Sequence, residues 1–430
     1  MVKSIQIFIT VILTSLFFFP FFFSFLPTIN TKMMLAVLGL MVYFMDHFNG
    51  KTTLFEKRLF NVSVGALGVS FCSFLSMTIN GTPDNSYLGY IMSMLVWLFA
   101  AYFCVNLMRR IHGEISVEIV GYYLLGVALL QCTLALLISL LPWLSNIVDS
   151  YITGEKYMGV NVDDRLHGIG CALDVGGGRL GSILIITIYL ILESMKSGRS
   201  KWKFVGLLLS FFYILVIGCM IGRTTSVGAL VAIVYAGYSL FIRNDMNNNS
   251  YGSYTLLTVV TLCMSIVFCT ILYHTSSEAM NFLRFGFEGF FNYFENGKFE
   301  TNSTNMLSEG MIFPDNWQTW IIGDGYMASG SNDPYYIGPS DYGFYMNTDA
   351  GYSRFIFYFG LTGLSAFILF FVTVCRECCK INMGKLLFIA ILIFNLTVWV
   401  KVSTDLFLVF APFLCILERS EKDCSVNVKN

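Results

Sequence analysis

Charged residues are scarce in this chain of 430 residues. Asp, Glu, Lys and Arg make up only 12% of it, whereas apolar residues make up 56%. A soluble core has no room for so much apolar surface, but a lipid bilayer accepts it. The composition therefore excludes a soluble globular protein and predicts a polytopic helical membrane protein. The formal net charge of −1 gives no reason to expect nucleic acid as a partner.

Residues that bind metal ions or form external disulfides are also few. The sequence has four histidines and no H-E-x-x-H motif, and its sole acidic pair in a predicted outer loop is Asp163-Asp164. It has twelve cysteines, but nearly all of them fall within apolar segments or at the predicted inner face. We therefore expect no metal, no other cofactor and no external disulfide.

Apolar stretches of a length that suits a bilayer recur along the chain. About twenty helical residues cross roughly 30 Å of hydrocarbon, and we predict about twelve such helices. They lie at about 4–27, 33–48, 59–79, 86–108, 117–141, 178–195, 204–221, 225–242, 254–274, 352–374, 385–400 and 405–417. The predicted fold class is an all-α polytopic membrane protein in which residues 1–430 form a single integral membrane domain.

Lysines and arginines in the connections predict the orientation. Many of them fall on one set of alternate loops, which the positive-inside rule assigns to the cytoplasm. These are Lys51, Lys57, Arg58, Arg109, Arg110, Lys196, Arg199, Lys201, Lys203, Arg243, Arg376, Lys380 and Lys385. Both termini are then cytoplasmic. The opposite face has two large loops, at residues 142–177 and 275–351, and we expect the chemistry between them.

The second outer loop is longer than a simple connection needs to be. Its first part, residues 276–295, has phenylalanines at helical spacing, which predicts a helix along the interface or over the bundle. Its second part, residues 296–347, is rich in Gly, Ser, Asn, Asp, Tyr and Pro, which predicts an irregular lid of short pieces. The alternative is a disordered insert.

Five arginines fall on the predicted outer face, where a chain of this class carries few positive charges. Three of them lie at or just inside the starts of apolar segments, where the positive end of the helix dipole disfavours a cation. An anion is the natural missing partner, so the arginines predict an anion-binding site. The five are Arg165, Arg179, Arg223, Arg284 and Arg354, and the three are Arg179, Arg223 and Arg354.

Three consecutive glycines, Gly176, Gly177 and Gly178, stand directly before Arg179 at a predicted helix start. Glycines at such a place leave backbone N–H groups exposed and allow close approach, which predicts a cradle for phosphate oxygens. In the alternative reading, the glycines only let the chain turn into the membrane. Arg165 would then pair with Asp163 or Asp174.

Two further short segments place an arginine at a helix start. Between two apolar stretches, Arg223 is followed by Thr224 and Ser226, which could cap the next helix and leave hydroxyls facing the same site. Farther on, Asp349 and Arg354 lie about a helical turn apart, so a carboxylate and a guanidinium could face one cavity. The alternatives are a snorkelling arginine bound to lipid headgroups for Arg223 and a structural salt bridge for Arg354.

These motifs give the chain a resemblance to a known family. They are Gly222-Arg223-Thr224-Thr225, Ile322-Gly323-Asp324-Gly325-Tyr326, Thr348-Asp349-Ala350-Gly351-Tyr352 and Phe359-Gly360-Leu361-Thr362-Gly363-Leu364. With about twelve predicted helices and two large outer loops, the chain resembles the Wzy-type polymerases of O-antigen and capsule repeat units. Those polymerases belong to the O-antigen ligase and polymerase superfamily, with a GT-C-like architecture. Some of these polymerases have an arginine followed, after ten residues, by a glycine in the first large loop, and Arg165 and Gly176 have this spacing. Arg354 does not repeat it, because the corresponding position is Ser365.

The resemblance implies a glycosyltransferase on the periplasmic face of a bacterial inner membrane. Such an enzyme moves a growing glycan from undecaprenyl pyrophosphate onto a new lipid-linked repeat unit. The implied partners are undecaprenyl-pyrophosphate-linked oligosaccharides, membrane lipids and, as a candidate, a chain-length-regulating co-polymerase. The five arginines would bind the diphosphate without a metal. Asp349 is the first choice of general base and His167 the second. The related ligases carry a histidine near the position where this chain has Asp349.

Two other functions stay open. A flippase or other transporter of lipid-linked oligosaccharide would also face a diphosphate, but alternating access is usually marked by broken helices or charges near the bilayer centre in two related halves. The charges here cluster at the predicted outer face, which favours an enzyme. An O-antigen ligase of the same superfamily is the closer alternative.

Overall fold

The computed structural model describes residues 2–50, 52–153, 165–197, 200–242, 251–328, 343–381 and 384–416. The helices are α1 (Val2–Phe18), α2 (Thr31–Phe48), α3 (Thr53–Asn80), α4 (Tyr90–His112), α5 (Val117–Leu140), α6 (Pro142–Tyr151), α7 (Leu173–Lys196), α8 (Lys201–Ile221), α9 (Thr224–Gly237), α10 (Tyr251–Thr275), α11 (Ser277–Gly286), α12 (Glu288–Asn296), α13 (Asn302–Gly310), α14 (Trp317–Ile322), α15 (Gly351–Cys379), α16 (Lys385–Val398) and α17 (Phe407–Leu414). Three short strands, β1 (Phe22–Phe23), β2 (Leu26–Asn30) and β3 (Ile152–Thr153), form an antiparallel sheet in the order β2-β1-β3.

The all-α membrane class is confirmed. Among the described residues, nine helical segments are long and apolar enough to cross a bilayer: Thr31–Phe48, Thr53–Asn80, Tyr90–His112, Val117–Leu140, Leu173–Lys196, Lys201–Ile221, Thr224–Phe241, Tyr254–Thr275 and Gly351–Cys379. Two shorter apolar helices, α1 and α16, have 17 and 14 residues. In the described part of the last predicted span, residues 405–416, the helical residues are the eight of α17.

The first predicted span, 4–27, is wrong in its second half. Helix α1 ends at Phe18, and the chain then turns into β1 and β2. Pro20 follows the helix, and proline cannot donate the backbone hydrogen bond that a continuing helix needs. The apolar run therefore contains a helix followed by a small sheet.

One end of the bundle, called the arginine end below, is formed by the last residues of α1, α3, α5 and α8 and the first residues of α2, α4, α7, α9 and α15. Hydrogen bonds join these ends. Arg179 Nη1 in α7 donates to the Phe18 carbonyl at 2.9 Å, and Leu166 N donates to the Met220 carbonyl of α8 at 3.1 Å. The segments that carry the predicted site therefore meet at one end.

At the other end, called the lysine end below, two arginines hold the end of α17. Arg58 Nη1 donates to the carbonyl of Leu414 at 3.2 Å, and Arg109 Nη2 donates to that of Cys415 at 3.2 Å. Carbonyls at a helix C-terminus have no partner within the helix, and cations are favourable there. Helix α7 joins the two ends with 24 residues, a length of about 36 Å.

The second predicted outer loop contains more helix than expected. The predicted helix at 276–295 is confirmed, although it is divided into α11 and α12 at Phe287. Two short helices, α13 and α14, lie in the stretch that was predicted to be irregular. Residues 329–342 of this loop lie outside the described residues.

A kink in α15 fits this loop to the bundle. Gly360 has φ 64° and ψ −170°, and a Cβ atom there would lie 2.3 Å from the backbone of Ile321 in α14. The Thr362 hydroxyl donates to the Ile321 carbonyl at 2.8 Å. Beyond α14, Asp324 N donates to the carbonyl of Phe357 at 2.6 Å. The glycine thus permits the close approach that places the segment after α14 beside the start of α15.

We predict that Gly360→Ala lowers the stability of the protein by about 1–3 kcal/mol or more, because alanine disfavours a positive φ and its Cβ would meet backbone atoms. Thermal unfolding of the purified protein in detergent measures the change. Gly206→Ala is the matched control, because Gly206 lies in α8 with nothing within 4 Å of an added Cβ. Equal melting temperatures for the two variants would contradict the role of the kink.

Candidate functional site

Four of the five predicted arginines form three groups at the arginine end. The first group lies on α11. The guanidinium carbons of Arg165 and Arg223 each lie 4.6 Å from the centre of the Phe285 ring. Arg223 also forms an ion pair with Glu288. Burial and the positive charge of Arg165 lower the pKa of Arg223, against the opposing charge of Asp174.

The predicted capping of α9 by Thr224 and Ser226 is wrong. The hydroxyl of Thr224 donates to Asp174 Oδ1 at 2.6 Å, and that of Ser226 donates to the Arg223 carbonyl at 2.7 Å. Asp174 also forms an ion pair with Lys401 at 3.0 Å. Among the described residues, Asp174 therefore pairs with Lys401 and not with Arg165.

Arg165 borders a cavity at this end of the bundle. The cavity has a volume of about 350 Å³ and is lined by Ser139, Ser145, Arg165, His167 and Phe282, among others. No ion pair of Arg165 occurs within the part of the chain that the structure describes. The alternative partner Asp163, together with Asp164, lies outside the described residues. The cavity thus joins a guanidinium, an imidazole and two hydroxyls on an apolar wall.

The second group surrounds Trp97. The guanidinium carbon of Arg179 lies 5.7 Å from the centres of both the Phe19 and Trp97 rings, and Lys32 Nζ lies 4.0 Å from the centre of the Trp97 ring. Asp405 is close enough to interact with both cations. Burial raises the pKa of the Asp405 carboxyl, and the Phe407 N–H and the two positive charges oppose that rise.

The third group lies at the start of α15. Arg354 Nη2 donates to the Met327 carbonyl at 3.2 Å, and its guanidinium carbon lies 4.2 Å from the centre of the Phe344 ring. Its Nε atom is buried and has no hydrogen-bond partner. A buried donor without a partner costs about 1–3 kcal/mol. A negatively charged ligand would remove that cost.

Asp349 lies beside this group. Its side chain is exposed, and its negative charge acts on Arg354. No salt bridge joins the two within the described residues, so the structural pair considered from the sequence is not formed. The carboxylate is free to meet a ligand from solvent.

Tyr87 connects the second and third groups. Its hydroxyl donates to the Ser403 carbonyl at 3.4 Å. Burial and the charge of Asp405 raise the pKa of Tyr87, whereas the charge of Arg354 opposes the rise. Both charged groups therefore act on one phenol, whose ring packs against Phe355, Phe359 and Phe367.

Asp84 holds the backbone that supports Arg354. Its Oδ2 atom accepts hydrogen bonds from the N–H groups of Met327 at 2.7 Å and Ala328 at 3.1 Å. A carboxylate that accepts two backbone hydrogen bonds fixes a loop strongly. The carbonyl of Met327, which accepts from Arg354, is thereby held in place.

Arg284 is the predicted arginine that lies apart from these groups. It is partly exposed on α11, where Nη2 donates to both carboxylate oxygens of Glu295 at 2.6 and 2.8 Å, and Nη1 donates to the Tyr273 hydroxyl at 3.0 Å. These hydrogen bonds raise the pKa of Arg284. A diphosphate would have to displace Glu295 in order to bind this arginine.

The three glycines lie inside α7 rather than before it. The helix begins at Leu173, five residues before the predicted start, and Gly176, Gly177 and Gly178 are buried in its first turns. A Cβ atom on Gly177 would lie 2.7 Å from the Gly222 carbonyl oxygen. The predicted position before the helix is wrong, and in this structure the glycines let the end of α8 approach α7 closely.

The residues that the sequence reasoning missed are Lys32, Asp84, Asp405 and Lys401. Lys32 carried the same signal as the arginines, since it lies in the first turn of a helix. The acidic residues gave no signal, because each becomes informative only beside its partner from a distant segment.

Comparisons with known proteins give no further constraint, because the chain matches no protein-family model and no curated protein. Among the described residues, no group of three or more His, Cys, Asp or Glu side chains could hold a metal ion. The functional assignment therefore rests on the geometry of the arginine end.

We predict that Asp84→Ala destabilises the protein by about 1–3 kcal/mol, because two backbone N–H groups lose their acceptor. Hydrogen exchange at residues 326–328 should accelerate in the variant, and thermal unfolding in detergent should begin at a lower temperature. Asp315→Ala is the control, because Asp315 is an exposed acidic residue between α13 and α14. Unchanged exchange at residues 326–328 would show that Asp84 does not hold this segment.

Proposed function

We propose that this protein is a metal-independent membrane glycosyltransferase that joins lipid-diphosphate-linked oligosaccharide repeat units into an O-antigen or capsular polysaccharide. One observation carries the proposal: Arg165, Arg179 and Arg354 lie at the same end of the bundle without an ion pair to any described residue. Partly buried cations without carboxylate partners call for an anionic ligand. In this proposal the arginine end faces the periplasm, and about twelve helices place both termini in the cytoplasm.

The arginines suit the departure of a diphosphate. As the bond between C1 of the donor sugar and the diphosphate oxygen breaks, negative charge develops on the leaving group. Guanidinium groups already in place stabilise that charge in a site of low dielectric constant. Their planar fork also matches two phosphate oxygens at once. The buried Nε of Arg354 is a donor that such a ligand would satisfy.

In this proposal, Asp349 serves as the general base. An acceptor hydroxyl must lose its proton as it attacks C1, and a carboxylate within hydrogen-bond reach can accept that proton. Asp349 is exposed near Arg354, so it can approach a substrate whose diphosphate binds that arginine. His167 is the second choice and lies on the cavity with Arg165.

The distribution of charge favours an enzyme over a transporter. The cationic groups of the proposed site gather at one end of the bundle, and those basic residues of the predicted inner loops that the structure describes gather at the other. A transporter with alternating access usually carries its site near the bilayer midplane. Ligation of a finished glycan to a different acceptor uses the same chemistry, and the cellular test below separates it from polymerisation.

We expect Arg354→Ala to slow glycan elongation about 100-fold, since the loss of one stabilising donor at a developing charge costs on the order of 3 kcal/mol. The assay uses purified protein in lipid vesicles with a lipid-linked repeat unit, and a gel resolves chain lengths. Arg376→Ala is the matched control, because Arg376 is an exposed arginine at the lysine end of α15. A full ladder from the Arg354 variant would overturn its assignment.

The Asp349→Asn variant should retain donor binding but transfer sugar at least about 100-fold more slowly, because the amide cannot accept the proton. Single-turnover transfer and donor binding are measured separately. An unaffected transfer rate would move the role of base to His167, which His167→Gln tests in the same assay.

In cells, a null strain that keeps a single repeat on its surface indicates a polymerase. A strain that attaches none indicates a ligase, and one that exports none indicates a flippase.

A further inference from the structure

Lys32 occupies an unusual place for a lysine. It is the second residue of α2, whose N-cap Asn30 accepts a hydrogen bond from Met33 N at 3.0 Å. The first turn of a helix carries the positive end of the helix dipole, which disfavours a cation. An ordinary surface lysine can escape this cost in water, whereas Lys32 is only partly exposed and directs its ammonium group towards an indole ring.

Lys32 shares that ring with Arg179. The ammonium nitrogen lies 4.0 Å and the guanidinium carbon 5.7 Å from the centre of the Trp97 ring. Trp97 itself is 8% exposed, so its indole is a fixed wall of the bundle. Two positive charges are thus held around one aromatic ring, where they repel each other.

The structure offers these cations little compensation. Arg179 Nη1 donates to the neutral carbonyl of Phe18. Asp405 interacts with both cations through space, yet neither Lys32 nor Arg179 forms a salt bridge with any described residue. The Asp405 carboxylate instead accepts a hydrogen bond from Phe407 N at 3.1 Å. Because the single carboxylate of Asp405 faces two partly buried cations, the three side chains together carry a net positive charge.

The geometry points to an anion-binding subsite in which Lys32 and Arg179 together hold a phosphate group. When no ligand is bound, the negative charge of Asp405 partly balances the two cations. Lysine supplies a point charge and arginine a fork of donors, and both are used to bind phosphate. Trp97 and Phe19 give the subsite apolar walls, which fit a phosphate attached to a lipid better than one free in water.

The subsite deepens the proposed function and rests on it for the identity of the ligand. If the protein transfers sugar from a lipid diphosphate, Lys32 belongs to the machinery that binds that diphosphate, beside Arg179. The charges of Asp405, beside the subsite, and of Arg354 both act on Tyr87. The lysine would then help position the same diphosphate that Arg354 is proposed to bind.

The test measures anion binding by the full-length protein in nanodiscs. Three probes distinguish the source of the phosphate: inorganic pyrophosphate added to phosphatidylcholine nanodiscs, nanodiscs with phosphatidylglycerol, and nanodiscs with a polyprenyl diphosphate. We expect Lys32→Gln and Arg179→Gln each to weaken binding of the polyprenyl diphosphate at least tenfold. Weaker binding of pyrophosphate or of phosphatidylglycerol in the same variants also supports the subsite and identifies those ligands as sharing it.

Lys203→Gln is the matched control. Lys203 also lies in the first turn of its helix, is partly exposed and has its ammonium nitrogen 4.6 Å from the centre of a ring, that of Tyr122, but at the lysine end. This variant should bind every probe as the natural protein does. If Lys32→Gln and Lys203→Gln bind all three probes equally well, the subsite does not exist.

Asp405→Asn keeps the proposal testable even if the Lys32 variant fails to fold. Removal of the competing negative charge should strengthen binding of the polyprenyl diphosphate several-fold, whereas weaker binding would overturn the assignment of Asp405 as a counter-charge. The anion-binding test of the subsite and the elongation test of the proposed function can fail independently. Loss of anion binding in Lys32→Gln, together with no elongation by the natural protein, would keep the subsite and reject the polymerase.

Discussion

Positive charge held inside the end of an apolar bundle is the constraint on which the candidate site depends. An isolated charge is costly to remove from water, and the cost is recovered only through a partner of opposite sign or through polar contacts. Arg223 and Arg284 recover it through Glu288 and Glu295. Arg179 and Arg354 have carbonyl oxygens and aromatic faces instead. Arginines with a carboxylate partner are therefore structural, whereas arginines without one are candidates for binding an anion.

Close backbone contacts put these cations where they are. Gly177 meets Gly222, and a Cβ on Gly228 would lie 2.3 Å from the Cα of Gly181, so α7 packs tightly against the end of α8 and against α9. The kink at Gly360 admits α14 and brings Met327 to Arg354. Small residues in membrane helices allow such approaches because little hydrophobic force acts between helices in lipid. The site is therefore rigid where the helices meet, and Asp349 is its exposed member.

Much of the fold followed from local pattern. Long apolar runs predicted most of the long helices, and the phenylalanine spacing at residues 276–295 predicted the helical course of α11 and α12. The errors have local causes of a different kind. Pro20 stops α1 within an apolar run, and α7 begins at Leu173 because glycines can continue a helix as well as precede one. A triple glycine alone does not distinguish a phosphate cradle from a packing surface.

By itself, the sequence determined the membrane class, the helical course of the long apolar segments and the presence of arginines at helix starts, since these depend on composition and on neighbours along the chain. Only the tertiary structure decided which arginines have carboxylate partners, because Glu288 and Arg223 lie 65 positions apart. It alone also joined Lys32, Trp97, Arg179 and Asp405 into one group. Charge interactions act through space over a few ångströms, and no one-dimensional pattern records which distant segments come that close.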